Sequence, residues 1–338
     1  MKKINIFVIC LFLSTFVACN RTNSQGNALV SSSGRSGEIV VISTDVIWQS
    51  ELGDSLRAIL SQPLLQLPQP EPMFDLLHVT EQNFTGSYKR QRNILQIAID
   101  SAVNSAKTTV KYNLWAEPQL VIRIVAKSTQ EAIGQLSTNA QAIINDFLKI
   151  ELQRFEKAQR SRQDFRLNTI IKQNYKLDII TPEGFFFAVQ HEDFAWLRKE
   201  TKDWGQNLMI FSETYTDTAQ FSNEYIINLR DKKTKQYVFG SADSSYVAVE
   251  RRLPTKTSIL QTDKSIAFAV QTEGIWKTEG DFMGGPFISY TMLDSVKNRI
   301  ITVDAFLYAP NDKKRDLLRQ LEALLNAIKL VNAQQTEK

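Results

Sequence analysis

Glu279 and Asp281, two residues apart in "EGDFMGGPFISY" (Glu279 to Tyr290), are the side chains of this sequence best spaced for chemistry. Glycan cleavage needs an acid and a base or nucleophile about 5 to 9 Å apart. On a strand, residues two apart share a face at about 6.6 Å. Gly280 between them and Gly284-Gly285 behind them point instead to a turn, in which such acids are solvated or cap the turn. Aromatic residues crowd the same segment, Trp276, Phe282, Phe287 and Tyr290, and another run, Phe185 to Phe187, lies upstream. Most such rings fill cores, but several facing one groove make a stacking platform for sugar rings or a peptide. The candidate ligand rim is therefore Trp276, Asp281, Gly284, Gly285 and Phe287, the glycines admitting a ligand close to the backbone. The structural alternative reads Gly284-Gly285-Pro286 as a hard turn between two strands, with Gly284 at positive φ.

Other residue types are poorly arranged for catalysis. The chain has two histidines. "HEDFA" at His191 opens like a helical zinc motif, but Ala195 stands where the second histidine belongs, so His191, Glu192 and Asp193 read as a solvated turn. His78 shares a strand face with Phe74 and Leu76 and reads as a partly buried, satisfied side chain. The nucleophile-elbow, phosphate-loop and dinucleotide-loop motifs are missing, and no catalytic residue, metal or cofactor is expected. Both cysteines, Cys10 and Cys19, lie at the start of the chain, so the body has no thiol for a disulfide, a nucleophile or a zinc site.

The elements that must position these groups follow from periodicity. Short apolar β-branched runs predict strands at Gly37 to Ser43, Met73 to Val79, Asn93 to Ile99 and Gln119 to Ala126, with a weaker one in "TTVKYN". Trp48, Leu52, Leu56, Ile59 and Leu60 predict a helix that stops at Pro63, and the proline-rich "QPLLQLPQPEP" cannot be regular structure. Ser128 and Glu131 form a capping box ahead of a long amphipathic helix. A short helix near Leu167 to Ile171 is expected to end at a left-handed Asn174. Strands are then predicted at Phe194 to Glu200, Leu208 to Tyr215, Tyr246 to Arg251, Ser265 to Trp276, Phe287 to Leu293 and Arg299 to Tyr308, with a helix near Phe221 to Asp231. A closing helix carries the stripe Leu317, Leu318, Leu321, Leu324, Leu325 and Ile328, with Asn311 or Asp312 as its cap. The fold class is α+β, in two domains of mostly antiparallel sheet covered by amphipathic helices.

The first residues, "MKKINIFVICLFLSTFVACN", read as a secretory signal: two lysines, an apolar run too short to span a bilayer, and small residues before Cys19. Val17-Ala18-Cys19 resembles a lipoprotein cleavage site, although Phe16 departs from the usual leucine, so Cys19 is the expected lipid attachment. The Ser/Asn/Gly-rich residues after it predict a flexible tether of roughly 20 to 25 Å. The expected organisation is signal 1–18, tether 19–37, domains 38–174 and 175–332, and a tail 333–338. A formal charge of +4 makes no field that argues for nucleic acid. Basic clusters at Lys89 to Arg92, Arg154 to Arg166 and Arg230 to Lys235 are interleaved with acids or lie at helix ends, and read as solvated faces, with lipid head groups as the sharper alternative.

The strings "LPQPEPMFDL", "LWAEPQLVIRI", "TPEGFFF", "FAWLRKET", "YTDTAQF", "GIWKTEGDFMGGPFISY" and "FLYAP" together resemble an uncharacterised family of Bacteroidetes lipoproteins classed only as a domain of unknown function. The resemblance spans the body, and its most specific part is Gly274 to Tyr290. It implies a lipid-anchored envelope protein and no particular activity. The second half also looks faintly like proteins of the PsbP and Mog1 type. "NRTNSQ" after Cys19 lacks the acidic cluster associated with surface export in that group, which favours the outer membrane with the body facing the periplasm. The expected role is a non-catalytic binding or interaction module with a protein or cell-wall glycan partner; the alternative is a glycan or peptidoglycan hydrolase using the carboxylates above.

Overall fold

The computed structural model describes residues 29–64, 66–242, 244–262 and 266–331. The signal, Cys19, most of the expected tether and the tail 333–338 lie outside the described residues. The last part of that tether is held: Val30–Ser31 pairs in parallel with Ala116–Glu117, and the Ser33 amide donates to the Arg90 carbonyl at 2.8 Å.

The first half is built on strands β1 (Glu38–Ile42), β2 (Asp75–Val79), β3 (Asn93–Ile99), β4 (Lys107–Tyr112) and β5 (Leu120–Ala126). Their order is β2-β1-β3-β5-β4. Pairings β1–β2, β1–β3 and β3–β5 are parallel and only β4 runs against β5. Antiparallel pairing dominates the molecule as a whole, but this sheet is mainly parallel. The cause is legible in "EIVVI", buried at every position, and in "LVIRIVA", broken only by the exposed Arg123: such apolar runs suit strands covered on both faces.

Helix α1 (Glu51–Leu60) buries Leu52, Leu56 and Leu60 on this sheet, and α2 (Thr129–Arg160) buries Leu136, Ile143, Phe147 and Ile150 beside it. Ser128 caps α2 by accepting from the Glu131 amide at 3.3 Å, while the Glu131 carboxylate takes the Lys127 amide rather than the cap's own. Within the basic run, Arg154 is not solvated. It pairs with buried Glu151 and donates to Asn93 Oδ1 at 2.8 Å and to the carbonyls of Arg92 and Pro118. Burial lowers its pKa to about 10.

The second half begins with α3 (Phe165–Tyr175), capped by Asp164 and ended by Lys176 at φ 61°, two residues beyond the expected Asn174. Leu167, Ile171 and Tyr175 belong to the core of the following sheet, so a boundary after Asn174 separates α3 from the core it packs in. That sheet holds β6 (Phe186–Gln190), β7 (Phe194–Glu200), β8 (Gly205–Thr214), β9 (Tyr246–Val249), β10 (Lys256–Ile259), β11 (Ala269–Glu279), β12 (Gly284–Asp294) and β13 (Arg299–Tyr308). Its order is β9-β11-β12-β13-β8-β7-β6, with β10 also on β11, and every pairing is antiparallel.

Alternation along these strands loads the two faces differently. Ala195, Leu197, Ile210, Ile288, Val303 and Ala305 face α3 and the closing helix α5 (Arg315–Asn326). Phe194, Trp196, Phe211, Trp276, Phe287 and Phe306 face α4 (Asn223–Tyr237). The leucine stripe of α5 lies on the sheet, but neither Asn311 nor Asp312 caps it. Glu71, in the proline-rich segment of the first half, accepts from the amides of Lys314 at 2.7 Å and Arg315 at 3.1 Å.

Candidate functional site

The turn that joins β11 to β12 is made by Gly280, at φ 82°, and not by the double glycine. Gly284, Gly285 and Pro286 open β12 and pair there with β11, the register with β13 beginning at Phe287. A Cβ on Gly285 would stand 2.0 Å from the Leu307 carbonyl oxygen, and one on Gly284 would stand 2.9 Å from that of Trp276. The glycines therefore admit neighbouring backbone. Pro286 offers no N–H to its neighbours, and across the bare Gly285 the Trp276 indole N–H donates to the Leu307 carbonyl at 3.1 Å. The hard-turn expectation is corrected to a close strand approach, and the ligand-rim expectation for Gly284 and Gly285 fails with it.

Asp281 sits at the surface of the turn, accepting from the Ser241 hydroxyl at 2.6 Å and the Phe282 amide at 2.7 Å. The Ser241 hydrogen bond, ahead of the backbone one, holds its carboxyl below the usual range. Glu279 pairs with Lys277 at 2.8 Å. A glycosidase acid must be held protonated, and Asp281 is held ionised. Phe287 is fully buried, with the Arg230 guanidinium 4.3 Å from its ring, so it is not a rim residue either.

Trp276 does reach a cavity. Where α4 ends at Val238, a cavity of about 590 Å³ lies over the aromatic face, within the usual range of about 300 to 1,000 Å³ for small-ligand sites, although Trp276 and Phe306 themselves are buried. Its floor is Trp196, Trp276, Phe306 and Tyr308, with Trp276 and Phe306 meeting edge-on at 5.4 Å. Its mouth is formed by the Thr201–Trp204 hairpin, the Val238–Ser241 loop, Met283, and Pro310 and Asn311 after β13. Phe239 is 62% exposed at this mouth, and Phe282, on the turn beside Met283, is fully exposed.

Several polar groups are held by their neighbours, while Arg198 Nε is buried with no partner. Asn207, buried, accepts from the Trp196 indole at 3.1 Å. Arg198 lies over the Trp196 ring at 4.8 Å and pairs with Glu200 two residues along the same strand face. Burial lowers the Arg198 pKa. Thr201 closes the hairpin, donating its amide to the Trp204 carbonyl at 2.9 Å and accepting the Trp204 amide on its hydroxyl at 3.1 Å. Of the five expected rim residues, Trp276 alone lines this cavity. The signal for the rest was present in "FAWLRKETKDWG": Trp196, Arg198 and Glu200 alternate onto one face and end at a Lys-Asp turn before Trp204.

The histidines lie elsewhere. His78 stacks on Trp48 at 4.8 Å and its Nε2 is 3.1 Å from the Ser43 carbonyl oxygen, while His191 leans on Tyr237. Among the described residues no three His, Cys, Asp or Glu side chains are grouped to hold a metal.

Residues 164–327 match the model of a family described as Domain of unknown function (DUF4837), and residues 32–160 match one described as Domain of unknown function (DUF8532). The expected resemblance to a family classed only as a domain of unknown function is therefore found in both halves. No curated protein sequence matches the chain. Two solved structures of Mog1 resemble its fold loosely. One, a Mog1 point mutant, is 9% identical at a TM-score of 0.29, covering 47% of this chain and 93% of its own. The other, the Saccharomyces cerevisiae Ran-binding protein Mog1p, is 8% identical at 0.29, covering 47% and 92%.

Proposed function

We propose that this chain is a non-catalytic binding module of the cell envelope, carried on a lipid at Cys19 and presenting the aromatic cavity of its second half to a ligand. The cavity is the observation that carries the reading. It joins a largely buried aromatic floor to a few polar groups at its mouth, the composition that small-ligand sites share. One nitrogen of its guanidinium meets Glu200, and Asn207 and Thr201 are held by their own neighbours rather than converging on a reacting atom. The hydrolase alternative at Glu279 and Asp281 loses support because one carboxylate is ion-paired and the other is held low.

The anchor reading is supported by the sequence signal, and the body faces the periplasm from the outer membrane. No helix among the described residues is long and apolar enough to cross a membrane. Cys19→Ser is expected to move the protein from the membrane fraction to the soluble periplasmic fraction. Unchanged membrane association on fractionation would remove the lipid anchor from the proposal and leave the cavity to be tested by binding.

A further inference from the structure

The tether enters the described residues at one corner of the first half, and that corner is basic. Val30–Ser31 lies along Ala116–Glu117 in the loop that joins β4 to β5, and the Ser33 amide donates to the Arg90 carbonyl. From the same loop the Gln119 side-chain amide donates to the carbonyls of Lys89 and Gln91, both at 2.7 Å, which fixes Lys89 and Arg90 beside it. Register puts Lys107, Thr109 and Lys111 of edge strand β4 on one face, opposite Val125, Arg123 and Val121 of β5. That face is turned away from α1 and α2, and on it Val121 packs with Phe84, Tyr88 and Trp115. Residues 84–99 and 107–126 hold six Lys or Arg and one acid, Glu117. Arg92 turns inward to Glu151, whereas Lys89, Arg90, Lys107, Lys111 and Arg123 are exposed and in no ion pair among the described residues.

We infer that this corner is a membrane-facing surface that docks the first half on anionic headgroups of the leaflet carrying its lipid, an inference that rests on the anchor at Cys19. Cys19 is ten residues from Leu29, the first described residue. A fully extended chain of that length spans at most about 35 Å, so the anchor keeps the corner within that distance of the headgroups. Confinement at this range raises the effective concentration of the surface, and contacts too weak to hold a free protein become occupied. The charge fits, because lipid phosphates form a field of anions and the five exposed cations meet them without losing an existing partner. The apolar residues fit as well. Leu29, Val30, Tyr112 and Leu114 are exposed around the same loop, and a tyrosine, with an apolar ring and a polar tip, suits the headgroup level. The basic run of the second half is used differently: Arg230 pairs with Asp304, Lys232 with Glu213 and Lys233 with Asp193.

The test is vesicle flotation of the full chain carrying Cys19→Ser, which has no thiol at that position to hold a lipid. The vesicles are phosphatidylcholine alone and phosphatidylcholine with about 30% phosphatidylglycerol. The site variant combines Lys107→Gln, Lys111→Gln and Arg123→Gln. A charge-matched control combines Lys172→Gln, Lys313→Gln and Lys329→Gln, three exposed lysines of the second half, and circular dichroism checks that both variants fold. The expected result is binding to the anionic vesicles about tenfold or more above the neutral ones, lost at high salt and in the site variant and kept in the control. Equal loss in both variants would assign the binding to net charge and overturn the inference. Equal binding to the two kinds of vesicle, or none to either, would remove the headgroups as the partner. Binding of poly-glutamate as strong as that of the anionic vesicles, and equally dependent on Lys107, Lys111 and Arg123, would reassign the corner to an acidic polypeptide. The anchor itself is decided separately, by membrane fractionation of Cys19→Ser in cells.

Discussion

The two faces of the eight-stranded sheet are made by the same strands, yet one is sealed except for a gap of about 100 Å³ beside Tyr290 and Leu325, and the other leaves a cavity of about 590 Å³. The sealed face is aliphatic, with alanines, leucines, isoleucines and valines under α3 and α5. Branched chains of differing size interdigitate and fill space under a helix. The open face carries Phe194, Trp196, Phe211, Trp276, Phe287 and Phe306. Rigid rings meet edge to face and cannot close over the sheet end once α4 stops. The faces also hold charge differently. Beneath α4, Arg230 and Asp304 form a fully buried ion pair, to which Ser289 adds a hydrogen bond, whereas α5 buries Arg315 and Arg319 against the first half and sets Glu322 toward the sheet.

The sharpest way to break this comparison is Asp304→Ala. It leaves the Arg230 guanidinium enclosed by Phe287 and Phe306 with no counter-charge, and removal of one partner from such a pair costs about 3 to 5 kcal/mol. Denaturant unfolding should show that loss. The paired change Arg230→Met with Asp304→Leu should recover most of it, since the pair's net contribution is small. A cost under about 1 kcal/mol for Asp304→Ala would mean that the pair does not fix α4 to the sheet.

On the sealed face the expected signature is a pH slope. Burial, with Glu273 nearby and Arg319 opposing, raises the Glu322 carboxyl to about 7 from its ordinary 4.5, and the same two glutamates help burial push Tyr290 up. The sign is fixed by proton binding: between those values the native chain holds a proton that the unfolded chain has released. The associated stability is fully present below about 4.5 and is lost as pH rises to about 7, on the order of 2 to 3 kcal/mol across the window. Glu322→Gln should flatten that part of the stability profile. A mutant slope equal to the wild type's would assign the titration to another group.

The comparison also marks what the sequence discloses. The apolar runs of β1, β3 and β5 and the leucine stripe of α5 are local patterns, and their elements could be read without neighbours. The run of β1 is apolar and buried on both faces, as parallel strands are, yet strand order is a long-range property that no window of sequence contains. Gly284 and Gly285 read as a turn because a Gly-Gly-Pro string carries the same letters whether a chain reverses or another backbone comes close. Only the Leu307 carbonyl, more than twenty residues away, distinguishes the two. The rim was misplaced for the same reason. Trp276 was found within its aromatic segment, whereas Trp196, Arg198 and Asn207 join it through strand pairing across the sheet. Arg154 and Arg230, read as members of solvated basic runs, are buried because distant partners await them: Asn93 and the carbonyls of Arg92 and Pro118 for Arg154, and Asp304 for Arg230.

The smallest expected effect separates the helices that cover the two faces. Helix α4 is capped from within its own half: the Ser222 hydroxyl accepts from the Tyr225 amide at 3.3 Å. Helix α5 has no side-chain cap of its own and borrows Glu71, whose carboxylate sits at the positive end of the helix dipole. Arg315 and Arg319 strengthen the same seam, donating to the carbonyls of Pro72 and Met73 at 3.1 and 2.7 Å, and Arg315 also pairs with Asp75. Ser222→Ala and Glu71→Ala should each cost about 1 to 2 kcal/mol, the usual worth of a cap. They should differ in calorimetry. Ser222→Ala lowers the midpoint of an unchanged transition, because only one half loses a contact. Glu71→Ala weakens the seam as well, so the first half should begin to melt apart from the second and the transition should broaden or split. Equal broadening in both variants would show that the two halves are coupled by contacts other than the borrowed cap, and the distinction between the sealed and open faces would then lie in their packing alone.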